Sequence, residues 1–307
     1  MQILSFLKYL LVAQVLKLFS LTKSLKNIYR ILGNRYGLKN HSTISLDDIS
    51  NGNWLVANIK KYKDTPTKEL KALELGTGWV HFYSLYLKMF LNIKIDMFDI
   101  VDNRQFRAIQ ERFTQFLKVK YLFQISDIEY NRINHVVDLI LGAKNFEELY
   151  NNLGVTYILN SNGDINAIPD SVYDIVFSVD VFEHISKMQL EKLVEEVYRI
   201  LQPNGIMLHQ IGIDDHLSHY ATRMSSKNYL RYSSKTWDTF FNNDLQYINK
   251  LQLTDFIKIF SKNFELLNCE SKVDTTVIEQ VPINNEFLHY DRNALTTTRG
   301  YLIFRKK

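Results

Sequence analysis

The residues best suited to chemistry lie in two short segments of this 307-residue chain. Neutral imidazole can accept a proton near physiological pH, and imidazole together with carboxylate can also bind a divalent cation. The first segment holds Asp180, Glu183 and His184, and the second holds His209, Asp214, Asp215, His216 and, just beyond, His219. Both segments follow apolar runs that have the character of buried strands. They predict a site for proton transfer or for metal binding at the ends of two strands.

A third segment, Ala72–Trp79, has the pattern of a loop that binds a nucleotide-type cofactor. An apolar strand pattern ends in Glu74, and Gly76 and Gly78 follow before helical sequence resumes. Glycines at the tip of a parallel strand let backbone N–H groups approach a ligand, because no Cβ stands in the way. The alternative is an ordinary strand-to-helix turn, since a lone Gly-x-Gly is a weak signal.

The elements that must position these segments alternate along the chain after Pro66, as they do in βαβ units. We expect helices after Trp79, around 104–123, around 145–153 and over 186–201. We expect seven strands, at 71–75, 93–98, 155–159, 173–179, 205–211, 264–270 and 298–305. The expected fold is α/β, a doubly wound, seven-stranded, Rossmann-like sheet. Residues 1–66 form an N-terminal helical extension, 67–307 the main domain, and 214–261 a lid or substrate-binding insertion.

Together these segments resemble the class I S-adenosylmethionine-dependent methyltransferases, over most of the chain from about Thr67 to Arg305. Glu74-Leu75-Gly76-Thr77-Gly78 resembles their first cofactor motif, with Val80 where the family usually has a third glycine. The resemblance implies that Glu74, Gly76, Thr77 and Gly78 form the donor loop. It further implies that Asp99, at the end of the second strand, binds the ribose hydroxyls. Asp164 and the backbone of Ile165 would recognise the adenine, with an Asx-turn as the alternative role for Asp164.

Two catalytic arrangements remain open for a methyltransferase. In one, His184 or His209 is a metal-free general base, and Asp214, Asp215 and His216 orient the acceptor. In the other, a divalent metal such as magnesium lowers the pKa of an acceptor hydroxyl and is held by Asp180, Glu183, His184 and His216. Asp-x-x-Glu-His resembles the Glu-x-x-Glu-His motif of ubiquinone-pathway O-methyltransferases and small-RNA 3′-end methyltransferases. A structural alternative is that Glu183 caps the next helix and His184 packs at the sheet edge.

The acceptor is expected to be a hydroxyl of a sugar or glycan precursor, because the region after Asp215 resembles bacterial methyltransferases associated with cell-surface polysaccharide synthesis. A small aromatic or quinone hydroxyl is the second candidate. A cofactor-binding scaffold without turnover is a third, and within the fold class a nicotinamide-dependent enzyme is the alternative to a methyltransferase.

Composition limits the partners. A net charge of +4 without a concentrated basic patch disfavours nucleic-acid binding, and the single cysteine, Cys269, excludes an intrachain disulfide and fits a cytoplasmic protein. The apolar N-terminus carries Lys8, Gln14 and Lys17, so we predict no transmembrane segment. Its helically spaced apolar residues are expected to pack on the domain, with peripheral membrane contact as the alternative. They are Leu4, Leu7, Leu11, Val15 and Leu18.

Overall fold

A computed structural model describes residues 2–63, 69–119, 127–221 and 223–307. Three helices precede the first strand: α1 (Gln2–Ser20), α2 (Lys23–Ser42) and α3 (Leu46–Tyr62). The helices that follow are α4 (Phe82–Phe90), α5 (Phe106–Val119), α6 (Asp127–Gly142), α7 (Phe146–Leu153), α8 (Lys187–Ile200), α9 (Ser234–Phe240), α10 (Leu253–Phe260) and α11 (Arg292–Thr296).

Within the described residues, one seven-stranded sheet joins the strands in the order β3-β2-β1-β4-β5-β7-β6. The strands are β1 (Leu70–Leu75), β2 (Ile93–Asp99), β3 (Val155–Leu159), β4 (Tyr173–Val179), β5 (Leu201–Gly212), β6 (Phe264–Val273) and β7 (Thr297–Lys306). β7 is antiparallel to both β5 and β6, and the other pairs are parallel. The order reverses between β1 and β4, and ligands of such sheets bind outside the carboxyl ends of the strands at that point.

The predicted fold class is therefore confirmed, with all seven strands close to their expected positions. The structure adds α6, which the sequence pattern did not indicate, and it divides the predicted insertion at 214–261. The later part of that insertion is α10, whose Phe256 and Phe260 are fully buried in the core beside the sheet. The predicted boundary at residues 66 and 67 and the end of the helix predicted over 104–123 lie outside the described residues.

Three hydrophobic clusters hold the described structure together. The first packs α3 to α7 against one face of the sheet, and α3 contributes the fully buried Leu55 and Ile59 to it. The second packs α8 and α10 against the other face. The third lies apart from the sheet and joins α1, through Tyr9, Ala13 and Leu16, to the region around α9.

One correction concerns α1. The predicted packing face is the exposed face: Leu4, Leu7 and Leu11 are 73%, 55% and 64% exposed. The opposite side of the helix packs on the domain instead. One described helical stretch, Ile3–Ser20, is also long and apolar enough to cross a membrane, despite its two lysines, and 17% of it is buried.

Candidate active site

The loop after β1 has the backbone shape that its glycines allow. Gly76 and Gly78 adopt positive φ angles of 70° and 63°, a region that residues with a Cβ rarely enter. A Cβ at Gly76 would lie 2.5 Å from Cγ2 of Val181, so this position also needs the smallest residue for space. Val80 replaces the expected third glycine, and the next residue, His81, takes the left-handed conformation with φ 48°.

A buried chain of hydrogen bonds fixes this loop. Thr77 Oγ1 donates to Oε2 of Glu74 over 2.8 Å, and Ser84 Oγ donates to the same oxygen over 2.5 Å. Since the Thr77 hydroxyl proton is used, Nδ1–H of His81 donates to Thr77 Oγ1 (2.8 Å), and Nε2 of His81 accepts from the Tyr150 hydroxyl (2.9 Å). Burial lowers the pKa of His81 to about 3, so its ring is neutral. The structure thus gives Glu74 and Thr77 a role in holding the loop.

Asp99 closes the same loop from β2. Its Oδ2 accepts from the Gly78 amide over 2.8 Å, and its Oδ1 accepts from the amides of Ile100 and Val101. Burial raises the pKa of Asp99 against the lowering effect of these amides. A carboxylate has about four lone-pair sites, so Oδ2 keeps capacity for one more donor. This geometry is compatible with the predicted contact to a ribose hydroxyl.

The predicted adenine-recognition segment lies at the end of β3. Oδ1 of Asp164 accepts from the Asn166 amide over 2.7 Å, so the Asx-turn anticipated as its alternative role is present. Asp164 is exposed, and Ile165 is 2% exposed and packs in the second cluster. Oδ2 of Asp164 therefore stays available to a ligand while Oδ1 holds the turn.

Three carboxylates from two segments converge at the end of β5. A Cβ placed on Gly212 would lie 2.8 Å from Glu183 Oε1, 3.2 Å from Asp214 Oδ1 and 3.6 Å from Asp180 Oδ1. Arg299, at the start of β7 and opposite Gly212, forms an ion pair with Asp180 at 3.2 Å. Asp180 itself has the positive φ of 54°. The sheet edge thus holds three acids around one glycine and one arginine.

Glu183, His184 and His216 form a group of possible metal ligands among the described residues, with one ligand atom of each within 4.8 Å of the others. Nδ1–H of the exposed His184 donates to the Tyr247 carbonyl over 2.7 Å, which leaves Nε2 as the basic nitrogen. Burial lowers the pKa of His216 to about 4. Burial and the nearby Asp180 raise the pKa of Glu183 well above its usual value.

The role of helix cap that we considered for Glu183 is wrong. Helix α8 begins at Lys187, and the side chain of Ser186 accepts from the Gln189 amide at its N-terminus. Glu183 Oε1 instead accepts from the Gly212 amide over 3.1 Å, while Glu183 Oε2 is buried without a partner among the described residues. Glu183 therefore belongs to the polar site.

Asp214 and Asp215 point to different surroundings. Asp214 Oδ2 accepts from Nε2 of His219 over 2.6 Å, and its Oδ1 lies 3.8 Å from Nε2 of His216. Burial raises the pKa of Asp214, but these imidazoles outweigh it and hold the pKa below its usual value. Asp215 is fully buried and accepts from the Tyr9 hydroxyl of α1 over 2.5 Å. The acceptor-orienting role predicted for Asp215 does not suit this position, where it anchors α1.

His209 is also buried completely. Its Nδ1 is 2.8 Å from the Ser178 hydroxyl, and its ring packs on Phe182 and Phe260. Burial lowers its pKa to about 3. A base must reach the acceptor hydroxyl within hydrogen-bond distance, and a ring with no exposed surface in the core cannot do so. The structure argues against His209 and leaves His184 as the base candidate.

Three participants were missed by the sequence reasoning: Arg299, Tyr150 and Tyr9. Arg299 is 119 positions from its partner Asp180, and Tyr9 is 206 positions from Asp215. Pairs so far apart in the chain cannot be predicted from the spacing of residues within a motif. The antiparallel placement of β7 beside β5 would have indicated Arg299 once the sheet order was known.

Part of this chain is similar to a known protein family. Residues 127–209, about a quarter of the chain, match the family model described as a methyltransferase domain. Over this range the chain is similar to a methyltransferase domain. The matched range runs from α6 to β5 and includes Asp164, Asp180 and His184. The predicted enzyme class, an S-adenosylmethionine-dependent methyltransferase, and the predicted methyl donor are confirmed at this level. A search of curated proteins finds no match.

Solved structures with a similar fold share little sequence with this methyltransferase. A protein of Galdieria sulphuraria, provisionally assigned as a sarcosine dimethylglycine methyltransferase, is 17% identical, with a TM-score of 0.47 and coverage of 84% of this chain and 86% of that one. The PH0226 protein of Pyrococcus horikoshii OT3 is 15% identical, with a TM-score of 0.47 and coverage of 86% and 92%. Phosphoethanolamine N-methyltransferase 2 of Haemonchus contortus, in complex with S-adenosyl-L-methionine, is 16% identical, with a TM-score of 0.45 and coverage of 83% and 52%. The predicted cytoplasmic location stays a prediction.

Proposed function

We propose that this methyltransferase transfers the methyl group of S-adenosylmethionine to a hydroxyl, with His184 as the general base. The supporting observation is the bond from Nδ1–H of His184 to the Tyr247 carbonyl, which fixes the tautomer and leaves Nε2 as acceptor. His184 is exposed and follows β4, next to the switch point of the sheet where the donor is expected. The sulfonium already activates the methyl group, so the protein must align the hydroxyl and accept its proton.

The acceptor that we propose is a sugar or glycan precursor. Asp214, His216 and His219 form a polar cluster beside His184, which suits an acceptor with several hydroxyls. Two aromatic residues of the predicted insertion at 214–261 provide no surface for such an acceptor. Tyr229 and Trp237 are 1% and 3% exposed and form the core around α9, so neither can stack on a sugar ring.

A small aromatic or quinone hydroxyl is the second candidate, favoured by the exposed apolar face of α1. The two acceptor classes differ in whether they dissolve in water or in an organic solvent. Extracts of the producing cells, separated into aqueous and organic fractions and incubated with the protein and methyl-deuterated donor, would show by mass spectrometry which fraction gains the label. Label in a hydrophilic, glycosidase-sensitive product is expected. Label confined to the organic fraction would contradict the sugar assignment, and no label in either fraction would favour a scaffold without turnover.

The role of His184 is tested by comparing His184→Gln with His135→Gln, a change at an exposed histidine on α6. Removing a general base typically costs about 10²-fold to 10⁴-fold in rate. We expect His184→Gln to lose activity by that order while retaining S-adenosylhomocysteine binding by calorimetry. His135→Gln should behave as the parent. Equal activities of the two variants would show that His184 is not the base.

A divalent cation is an alternative way to activate the same hydroxyl, and only the side-chain cluster favours it. Glu183, His184 and His216 fit such an ion, since Glu183 Oε2 has no partner among the described residues and the pKa of His216 is low enough to keep it neutral. Asp180 is paired with Arg299 and does not belong to this group. The ion would supply charge that stabilises an alkoxide. Calorimetric titration with Mn²⁺ and activity after chelation test this arrangement, and full activity in chelator without Mn²⁺ binding would exclude it.

A further inference from the structure

The N-terminal helix presents an apolar surface that the described chain does not cover. Leu4, Leu7, Leu11, Val15 and Leu18 are spaced three or four residues apart, so they share one face of α1. Each of them is at least 43% exposed, and Ile3 beside them is 76% exposed. We call these six residues the outer face of α1. Contiguous apolar surface of this kind marks an interaction site.

The inner face of the same helix is fixed to the domain. Tyr9, Ala13 and Leu16 are at most 3% exposed in the third cluster. Gln14 Nε2 donates to the Phe240 carbonyl over 2.7 Å, and Lys17 Nζ donates to the carbonyl of Asp238 over 2.9 Å. α1 is therefore held to the domain by its inner face, and its outer face remains exposed.

The charge of this region specifies what can cover that face. Residues 1–46 contain seven of the 37 basic residues and none of the 33 acidic residues of the chain. The remainder of the chain is therefore slightly acidic, and the net positive charge of the protein comes from its N-terminal helices. Lys8, Lys23, Arg30 and Arg35 form no ion pair with a described acidic residue. Apolar residues together with unpaired basic residues fit an anionic lipid surface.

We propose that α1 is an interfacial helix that binds the protein to the surface of a bilayer containing anionic lipid. Its outer face enters the boundary between headgroups and acyl chains, and the unpaired basic residues of α1 and α2 contact the lipid phosphates. They are Lys8, Lys23, Arg30 and Arg35. The inner face keeps its contacts with the domain, so the helix lies on the membrane and does not cross it. Because Tyr9 bonds to Asp215, the residue after Asp214, the bilayer and the acceptor side of the active site are joined through one helix.

The experiment uses the purified full-length protein in vesicle flotation. We expect it to bind vesicles of phosphatidylcholine with phosphatidylglycerol, and to bind pure phosphatidylcholine far less. Leu7→Glu and Leu11→Glu place a charge in the outer face without touching the buried side, and each should reduce the bound-to-free ratio by about tenfold or more. Leu288→Glu, at a leucine that is 63% exposed elsewhere, is the matched control and should bind as the parent.

Further measurements distinguish the other possible partners of the outer face of α1. Circular dichroism and S-adenosylhomocysteine binding should be the same in all variants, because the substituted leucines are exposed. Absence of binding to anionic vesicles, or equal binding by the parent and both outer-face variants, would overturn the proposal. A parent dimer in sedimentation equilibrium that Leu11→Glu converts to a monomer, without vesicle binding, would assign the face to a second copy instead. Bound protein that resists alkaline carbonate would show that α1 spans the bilayer.

Discussion

Glu74 is a carboxyl group that the fold buries beneath the donor loop. Burial raises its pKa from 4.5 to about 7, although the hydroxyls of Ser84 and Thr77 act in the opposite direction. Between these two pH values the folded protein holds a proton that the unfolded chain has lost. The free energy of unfolding therefore falls as pH rises from about 4.5 to about 7, by at most about 3 kcal/mol from this group.

We predict that Glu74→Gln removes this part of the pH dependence, since a glutamine can still accept from Thr77 and Ser84 and has no proton to lose. Urea unfolding of the cofactor-free protein measures the free energy of unfolding at pH 5 and pH 8. The variant should gain stability relative to the parent at pH 8 and not at pH 5. Glu195→Gln, at an exposed position of α8, is the control. Parallel pH profiles for parent and Glu74→Gln would contradict the prediction.

For single residues, roles that depend on a partner far away in the chain could not be predicted from the sequence. The acids and histidines of the site were identifiable because they follow two strands that the fold places side by side. Their individual roles were not. His209 lies on β5, next to the strand that His184 follows, and Asp215 is the residue after Asp214. Both are nevertheless fully buried. Asp215 accepts a hydrogen bond from Tyr9, which lies on a different element, α1.

Among the elements, strands were predictable and helices only in part. A strand of a parallel sheet is buried on both faces, and its continuous apolar run is visible in the sequence. α6 was missed, because its apolar residues are interspersed with polar ones and no glycine or proline separates it from the preceding helical pattern. The outer face of α1 has the same periodicity as a packed face. Periodicity shows that residues share a face, and only the surrounding chain decides whether that face is covered.

The link between β1 and α4 gives a prediction about an element. Gly76 and Gly154 both have positive φ, but a Cβ at Gly154 meets nothing within 4 Å, whereas one at Gly76 would collide with Val181. Alanine at either position suffers backbone strain of about 1 to 2 kcal/mol. Gly76→Ala additionally has to move Val181, which lies between Asp180 and Glu183.

We expect Gly76→Ala to lower the free energy of unfolding by at least about 1 kcal/mol more than Gly154→Ala does. It should also weaken S-adenosylhomocysteine binding, which Gly154→Ala should leave intact. Chemical denaturation and calorimetry of the two variants measure both effects. If the two variants bind the ligand equally well, the close approach of Val181 to the loop is not needed for the donor site.

On the scale of the whole molecule, two of the three hydrophobic clusters pack against the sheet, and the third lies apart from it. The clusters on the two faces of the sheet carry the donor loop and the strands, while the third cluster holds α1, the region around α9 and the segment near Phe287. Regions that open together are usually contiguous packing units. The cores of the sheet and the third cluster therefore adjoin at Asp214 and Asp215, which lie between Ile213 of the second cluster and Leu217 of the third.

This division predicts where stability is lost when each core is weakened. Leu16→Ala removes a buried side chain from the third cluster, and Leu85→Ala does so beside the sheet; either change should cost about 2 to 5 kcal/mol in its own unit. By hydrogen exchange, Leu16→Ala should reduce protection around Asn228–Arg231 and α9 while β4, β5 and donor binding keep their parent values. Leu85→Ala should reduce protection throughout the sheet. Loss of protection in the sheet with Leu16→Ala would show that the three clusters unfold as one unit, because a core that opens separately cannot transmit its instability to the donor side.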